Sequence, residues 1–144
     1  MCGRKQQAKD PALIEIVMGL DISHCVPKLN NIDEIFDYFT LEELSSSPDY
    51  IRRHESLIVE RKNEEGTEKV MYFKDIGYQR KGMSSKFYTD FENGRLYFDI
   101  EEVKKAFTYL QADHIYSLVE LEQYFQKFFI DKFTPGESIF YANW

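Results

Sequence analysis

The sequence predicts an α+β fold, a single domain in which an antiparallel sheet of two hairpins packs with N- and C-terminal helices. Apolar residues recur at helical spacing near both ends of the chain, whereas residues 55–100 are rich in β-forming residues around two turns. A length of 144 residues and a hydrophobic content of 43% are typical of one folded domain. We therefore expect residues 11–144 to form this domain behind a flexible basic tail, residues 1–10.

The first predicted helix follows this tail. Asp10 is placed to act as its N-cap and Pro11 as its first residue, ahead of an apolar run over residues 12–20. The run resembles part of a signal peptide, but Glu15 interrupts it and residues 21–24 do not form a small-residue cleavage site. No segment approaches the roughly 20 apolar residues that span a bilayer. We therefore expect a cytoplasmic protein with no membrane partner.

A second helix is predicted over residues 32–39, because the apolar side chains there recur at helical spacing. In a capping box, the side chain at the N-cap accepts a hydrogen bond from the backbone N–H three residues later, and the side chain of that later residue accepts one from the N-cap N–H. Two pairs of residues have this spacing. The pairs are Asn31 with Glu34 and Thr40 with Glu43. Residues 47–53 begin with Ser-Pro and predict a short helical turn.

The first hairpin is predicted from residues 55–62 and 68–73, which flank a loop at residues 63–66. Folding on this loop places opposite charges across from one another, which favours this register. The predicted cross-strand pairs are Arg61 with Glu68, Glu60 with Lys69, and Val59 with Val70. The basic residues 74–86 that follow are interpreted as a solvated, mobile loop.

The second hairpin is predicted from Asn93-Gly94, since both central positions of a type I′ turn need positive φ. Pairing outward from this turn places Phe91 opposite Leu96 and collects the apolar side chains on one face. The other face is expected to be polar and to carry Tyr88 and Tyr97. Because tyrosine is favoured at interfaces, this face is a secondary candidate for partner binding.

Two further helices are predicted after the hairpins, one capped by Asp99 and the next by Ser117 in a capping box with Glu120. Residues 138–144 are rich in β-formers and are interpreted as a fifth strand of the sheet. The helical spacing also predicts which large side chains occupy the core. These are Phe36, Phe39, Phe107, Leu121, Phe125 and Phe128.

Charge and motif content exclude several functions. A net charge of −7 argues against nucleic acid as a partner, because phosphate contacts need an excess of Lys and Arg on some face. Two cysteines, Cys2 and Cys25, do not make a disulfide framework, and no Cys or His spacing predicts a metal site. No glycine-rich phosphate loop occurs. We therefore predict no metal and no cofactor.

The acidic residues are concentrated in one segment, since residues 30–50 contain six acids and no Lys or Arg. If residues 32–39 form a helix that buries its apolar side chains, the acids there point outward. We call the predicted partner-binding residues the acidic surface. They are Asp33, Glu34, Asp37, Tyr38, Glu42 and Glu43.

The acidic surface predicts a non-enzymatic domain that binds a basic protein by electrostatic attraction. In size, charge and absence of catalytic motifs the chain is similar to small inhibitors of nuclease toxins, the immunity and antitoxin proteins. We accordingly expect an inhibitor of this type, with no catalytic residues. Two alternatives remain open: a small hydrolytic enzyme or ligand-binding protein with a pocket between the sheet and the C-terminal helices, and an oligomerising structural component.

Overall fold

A six-stranded antiparallel sheet is the centre of the fold in the residues that the structure, a computed structural model, describes: 19–28 and 37–144. Its strands are β1 (Asp21–Pro27), β2 (Asp37–Thr40), β3 (Val59–Asn63), β4 (Gly66–Arg80), β5 (Leu96–Tyr97) and β6 (Ile139–Asn143). The α-helices in these ranges are α1 (Leu41–Leu44), α2 (Pro48–Arg53), α3 (Ser85–Asp90), α4 (Ile100–Phe107) and α5 (Leu118–Phe125). The predicted α+β fold class with an antiparallel sheet is confirmed.

The long strand β4 organises one half of the sheet. The strand order is β2-β4-β1-β6-β5, and β3 also pairs with β4. Val70 lies opposite residues of both β2 and β3, and Phe73 lies opposite residues of both β1 and β2. Since a strand residue has one partner on each side, β2 borders one edge of β4, while β3 and β1 follow each other along the other edge.

Strand β1 is not predicted from the sequence, although it lies inside the sheet between β4 and β6. Its consecutive residues Ser23, His24 and Cys25 are all buried. A strand that is covered on both faces has no alternation of apolar and polar residues, so the period-2 signal is missing. The predicted tail over residues 1–10 and most of the helix capped by Asp10 lie outside the described residues.

The β3–β4 hairpin confirms the predicted register, in which Arg61 lies opposite Glu68 and Glu60 opposite Lys69. Residues Glu55–Leu57, predicted to be strand, instead form a 3₁₀ turn. Strand β4 continues to Arg80 because residues 73–80 pair with β1. The interpretation of residues 74–86 as a mobile loop is therefore wrong up to Arg80, and also at residues 85–86, which begin helix α3.

The second predicted hairpin is wrong. Residues Ser85–Asp90 form helix α3, and the two residues of β5 pair with β6. Gly94 has the positive φ, 79°, that Asn-Gly predicts, but its N–H donates to the Ala142 carbonyl oxygen, 2.9 Å away. The rings of Phe87 and Phe91 stack with their centroids 4.6 Å apart, a contact that one helical turn permits. The distant strand β6 thus replaces residues 87–92 as the partner of β5.

The predicted helix over residues 32–39 is wrong at its C-terminal end, where Asp37–Thr40 form β2 and pair with Val70–Phe73 of β4. Phe39 is buried and its neighbours Tyr38 and Thr40 are less so, which is the alternation of a strand. Asn31, Asp33, Glu34 and Phe36 lie outside the described residues. The capping box of Thr40 and Glu43 is confirmed, with both hydrogen bonds present at the start of α1.

The C-terminal elements are predicted well. Asp99 caps α4 by accepting a hydrogen bond from the Glu101 backbone N–H, and Ser117 and Glu120 form the predicted capping box of α5. Helix α5 continues into a π-helical turn, Gln126–Ile130. The predicted C-terminal strand is β6, which pairs with both β1 and β5.

The sheet separates two hydrophobic clusters. Phe140 and Ala142 of β6 belong to one cluster, and Ile139 and Tyr141 to the other, so the clusters lie on opposite faces. Of the predicted core residues that the structure describes, Phe39, Leu121 and Phe125 are buried. Phe107 and Phe128 are half-buried against the first cluster.

Candidate functional site

A groove lies between the C-terminal end of β4 and helix α5, and we call it the tyrosine groove. Its volume is about 650 Å³, within the range of pockets that bind ligands. Residues 78–80 of β4 form one wall. The opposite wall consists of Tyr116, Glu120, Leu121, Gln123, Tyr124 and Lys127.

Exposed apolar surface is concentrated at this groove. All six large hydrophobic side chains that are exposed in the described residues line it or lie within two residues of a lining residue in the chain. Tyr78, Tyr116 and Tyr124 line the groove itself. The other three surround the start of α5, and we call them the apolar patch: Ile115, Leu118 and Val119, of which Ile115 is 67% exposed and Val119 60%. Such clustering is typical of an interaction site rather than of scattered surface residues.

The tyrosine on β4 supplies a contact surface rather than a base. The hydroxyl of Tyr78 donates a hydrogen bond to the Asp21 carboxylate. Partial burial and this hydrogen bond raise the pKa of Tyr78 to about 12. The phenol therefore keeps its proton at neutral pH.

The described residues that line the groove carry two cations, Arg80 and Lys127, and one carboxylate, Glu120. A further carboxylate, that of Asp21, lies next to the groove, where it accepts a hydrogen bond from the Tyr78 hydroxyl and lies opposite Arg80 on the neighbouring strand. The Glu120 carboxylate accepts a hydrogen bond from the Ser117 backbone N–H at 3.1 Å and so serves the helix cap. No carboxylate of the described residues lies within 4 Å of Arg80 or Lys127. The amino group of Lys127 lies 5.2 Å from the centre of the Phe128 ring. Two cations thus face the groove in a chain whose net charge is −7.

The groove lies where the hydrolase alternative places its pocket, between the sheet and the C-terminal helices. Hydrolysis by paired carboxylates needs one acid kept neutral in an apolar pocket and a second acid beside it. Within the described part of the groove lining, Glu120 is the single acid, and it is exposed.

The acidic surface is brought together only in part. Asp37 and Tyr38 lie on the strand β2, and Glu42 and Glu43 lie on the following helix α1, where both glutamates are exposed. The carboxylate of Glu43 is occupied by hydrogen bonds from Thr40. Asp33 and Glu34 lie outside the described residues.

A cation from another strand also reaches the acidic surface. The guanidinium carbon of Arg61 on β3 lies 4.5 Å from the centre of the Tyr38 ring, within the distance of a cation–π interaction. Residues 30–50 contain no Lys or Arg, but the fold places Arg61 beside Tyr38 of that segment. This reduces the charge excess on which the prediction of a basic partner depends.

The secondary candidate, Tyr88 with Tyr97, does not form one exposed sheet face. Tyr88 lies on α3 with its ring centre 5.1 Å from that of Trp144, and Tyr97 is 6% exposed on β5. The hydroxyl of Tyr97 accepts a hydrogen bond from the Glu92 backbone N–H. Burial raises the pKa of both phenols. The two side chains pack in the core because the hairpin that would have exposed them does not form.

A histidine and a serine form a buried pair beneath the π-helical turn. His24 Nδ1 donates to the Phe128 carbonyl oxygen at 2.8 Å, so Nε2 accepts from the Ser138 hydroxyl at 2.7 Å. A nucleophile and its base have similar spacing in hydrolases. Here both residues are at most 1% exposed and neither lines the groove, so a substrate cannot reach the hydroxyl. The pair joins β1 to the C-terminal segment.

We expect the free energy of unfolding to decrease as the pH falls below about 6.5 because of His24. Burial lowers the pKa of His24 below its usual value of 6.5, and repulsion from Lys132 also lowers it. The hydrogen bond to the Phe128 carbonyl oxygen raises the pKa, but by less than burial lowers it. In the unfolded chain this histidine takes up a proton near pH 6.5, whereas the folded chain does so only at lower pH. The unfolded state therefore binds more protons below that pH and is favoured. Urea denaturation at a series of pH values measures the effect.

The variant His24→Gln should be less stable throughout but should lose this part of the pH dependence. His114→Gln is the matched control, since His114 is exposed and its replacement should leave the curve unchanged. The same pH dependence in His24→Gln as in the unaltered protein would contradict the prediction.

Within residues 19–28 and 37–144, no three potential metal-ligating side chains come together. No helix in those ranges is both long and apolar enough to cross a bilayer. No protein-family model, curated protein or solved structure matches this chain. The function is therefore inferred from the groove and the surfaces themselves.

The tyrosine groove is not predicted from the sequence, because its walls come from β4 and α5, which are distant in the chain. One signal was available. Residues 115–119 contain four large apolar side chains around Ser117, more than one buried helical stripe can hold. Leu121, Phe125 and Phe129 occupy the buried stripe, and Leu118 at the start of the helix is 41% exposed.

Proposed function

We propose that this protein is a non-enzymatic protein-binding domain that holds its partner at the tyrosine groove and the apolar patch. The observation that carries the proposal is the concentration of all exposed large hydrophobic side chains of the described residues at this one place. Tyrosine gives a large contact area and a hydroxyl at low entropic cost, and it is frequent among the residues that dominate binding energy.

The extent of the surface supports a macromolecular partner. A small molecule in the groove would contact Tyr116 and Tyr124 but would leave the outward-facing Ile115 and Val119 in water. A protein surface covers the groove and the patch together, and it removes the apolar side chains from water. The position of Tyr116 in the groove and of its neighbour Ile115 in the patch makes the two features continuous.

We expect Val119→Glu to reduce capture of the partner by about tenfold or more, since burying an unpaired carboxylate costs more than 1.4 kcal/mol. The measurement is quantitative co-precipitation from the source cells. Thr67→Glu on the exposed β3–β4 hairpin introduces the same charge elsewhere and should have no effect. A protein retained equally by both variants is not bound at this site, and retention of every captured protein would contradict the proposal.

A second candidate function is inhibition of a basic partner, in the manner of an immunity or antitoxin protein, through the acidic surface. It is favoured by the net charge of −7 and by the exposed position of Glu42, directly after the strand β2. Charges on such a surface mainly raise the rate of association with an oppositely charged protein.

For the second candidate, Glu42→Lys should slow association with a basic partner several-fold and change dissociation less, because long-range attraction acts before contact. Glu64→Lys, in the exposed turn between β3 and β4, is the control with the same change of charge. Added salt should weaken binding of the unaltered protein. Association rates that are insensitive to both the variant and salt would exclude this surface.

A further inference from the structure

In the described part of the chain, no strand covers the outer edge of β4 along the tyrosine groove. Strand β2 borders this edge only at Val70–Phe73, and within the described residues no strand continues it toward Arg80. At Tyr78 the backbone groups that point outward are bonded to a side chain instead. The Tyr124 hydroxyl donates to the Tyr78 carbonyl oxygen at 2.6 Å and accepts from the Tyr78 N–H at 3.3 Å.

One hydroxyl thus takes the place of a neighbouring strand. In a sheet, the N–H and the C=O of such a residue both bond to one residue of the adjacent strand. The Tyr124 side chain is 36% exposed on the surface of α5, so its hydroxyl bonds to Tyr78 at the surface, where a peptide backbone can compete for the same two groups. Open strand edges of this kind are the sites at which extended peptides add to a sheet.

A buried acceptor in the same groove lacks a hydrogen bond. Gln79 is 6% exposed, and its Nε2 donates to the Lys81 carbonyl oxygen at 2.9 Å. Because this bond fixes which end of the amide is the donor, Oε1 is an acceptor, and it has no hydrogen-bond partner. Leaving a buried acceptor unpaired is costly, so the described residues of the chain do not fully satisfy the polar groups at this end of β4.

The charges select among possible peptides. Arg80 stands at the end of the open edge and Lys127 on the opposite wall, and the carboxylate of Glu120 is held at the helix cap. An acidic side chain in the occupant would pair with these cations, and its apolar side chains would pack on the tyrosines. A basic segment would be repelled.

We propose that the tyrosine groove binds an extended, acidic and apolar peptide segment of the partner, which adds to the outer edge of β4. The inference rests on the proposed function and gives the chemistry of the partner. The peptide backbone replaces the Tyr124 hydroxyl at Tyr78, and a carboxylate of the peptide pairs with Arg80 or Lys127.

The experiment is selection of random peptides on phage against the full chain, followed by fluorescence anisotropy with the selected peptides. We expect Asp or Glu beside apolar residues in the selected sequences. N-methylation of single peptide bonds should weaken binding about tenfold at alternate positions, where an N–H faces β4, and much less at the positions between. A selection that yields no binding peptide, basic peptides, or peptides insensitive to N-methylation overturns the proposal.

Two variants test the groove residues. Tyr124→Phe removes the competing hydroxyl and keeps the ring, so peptides should bind it several-fold more tightly; unchanged or weaker binding contradicts strand addition. Arg80→Glu should weaken binding about tenfold or more. Lys62→Glu, at an exposed position of β3, is the charge-matched control and should bind as the unaltered protein does.

The proposed function can survive failure of this inference. If Val119→Glu abolishes capture of a partner but the pattern of N-methylation is absent, the surface binds protein without strand addition. If selected peptides show the pattern but Val119→Glu leaves partner capture intact, the groove binds peptides and the apolar patch does not belong to the interface.

Discussion

Replacement of Phe125 by alanine is expected to lower the free energy of unfolding by about 3–5 kcal/mol. Phe125 is fully buried on α5, with its ring stacked on Phe129 at 4.5 Å between centroids and close to Phe107 and Phe140. Alanine removes the apolar area and leaves a cavity that these rings cannot close without leaving their rotamers. Urea denaturation followed by circular dichroism measures the loss.

Phe128→Ala makes the same change one helical turn further along the chain and is the internal comparison. Phe128 is half-buried, so part of the space that alanine opens is already in contact with water. We expect a loss clearly smaller than that of Phe125→Ala. Equal losses in the two variants would mean that burial does not determine the contribution of these rings.

Gly77→Ala is expected to destabilise the fold by about 1–3 kcal/mol, as overpacking of a close contact does. A Cβ at this position would lie 2.7 Å from the Phe128 carbonyl oxygen and 3.3 Å from the Cβ of His24. The carbonyl is part of the π-helical turn and accepts the hydrogen bond from His24 Nδ1, so it cannot move without lengthening that bond. A shift of the urea midpoint reports the effect.

The control for this variant is Gly19→Ala, because no heavy atom lies within 4 Å of a Cβ built there. Where the native backbone accepts alanine without strain, alanine leaves the unfolded chain fewer conformations than glycine does. This variant should therefore be neutral or slightly stabilising. Equal stability of Gly77→Ala and the unaltered protein would show that the turn moves away from β4 at no cost.

Sequence reasoning succeeds where the determining interactions are local. The β3–β4 register follows from charges such as those of Arg61 and Glu68, which face each other across one short turn. The capping boxes that begin at Thr40 and Ser117 each depend on residues three apart. Interactions of this kind need no knowledge of the tertiary fold.

It fails where a distant segment supplies the partner. Gly94 has the positive φ that its residue type predicts, but Asn93 lacks the positive φ that a type I′ turn needs, and Leu96 pairs with Tyr141 of β6 and not with Phe91. Residues 37–40 form a strand because Asp37–Thr40 find Val70–Phe73 of β4 beside them. No periodicity within either segment reveals these partners.

The candidate site shows the same limit. The acidic surface was derived from charges counted along the chain, and such a count does not include Arg61, which reaches Tyr38 from another strand. The tyrosine groove exists only once β4 and α5 are brought together. Surfaces that depend on tertiary neighbours are therefore the least predictable part of this protein.

The position of β6 inside the sheet has a consequence for biosynthesis. Strand β1 pairs with β6 from Asp21 opposite Asn143 onward, so two strands far apart in the sequence share a ladder. Pairing these two strands closes a loop of most of the chain, which costs entropy before the new contacts compensate for it. Folds with many contacts between residues distant in the sequence form slowly. On the ribosome, β1 emerges long before its neighbour. Ile22 and Cys25 then lack β6 beside them, which makes the nascent chain a candidate for chaperone binding until residues 139–143 are released.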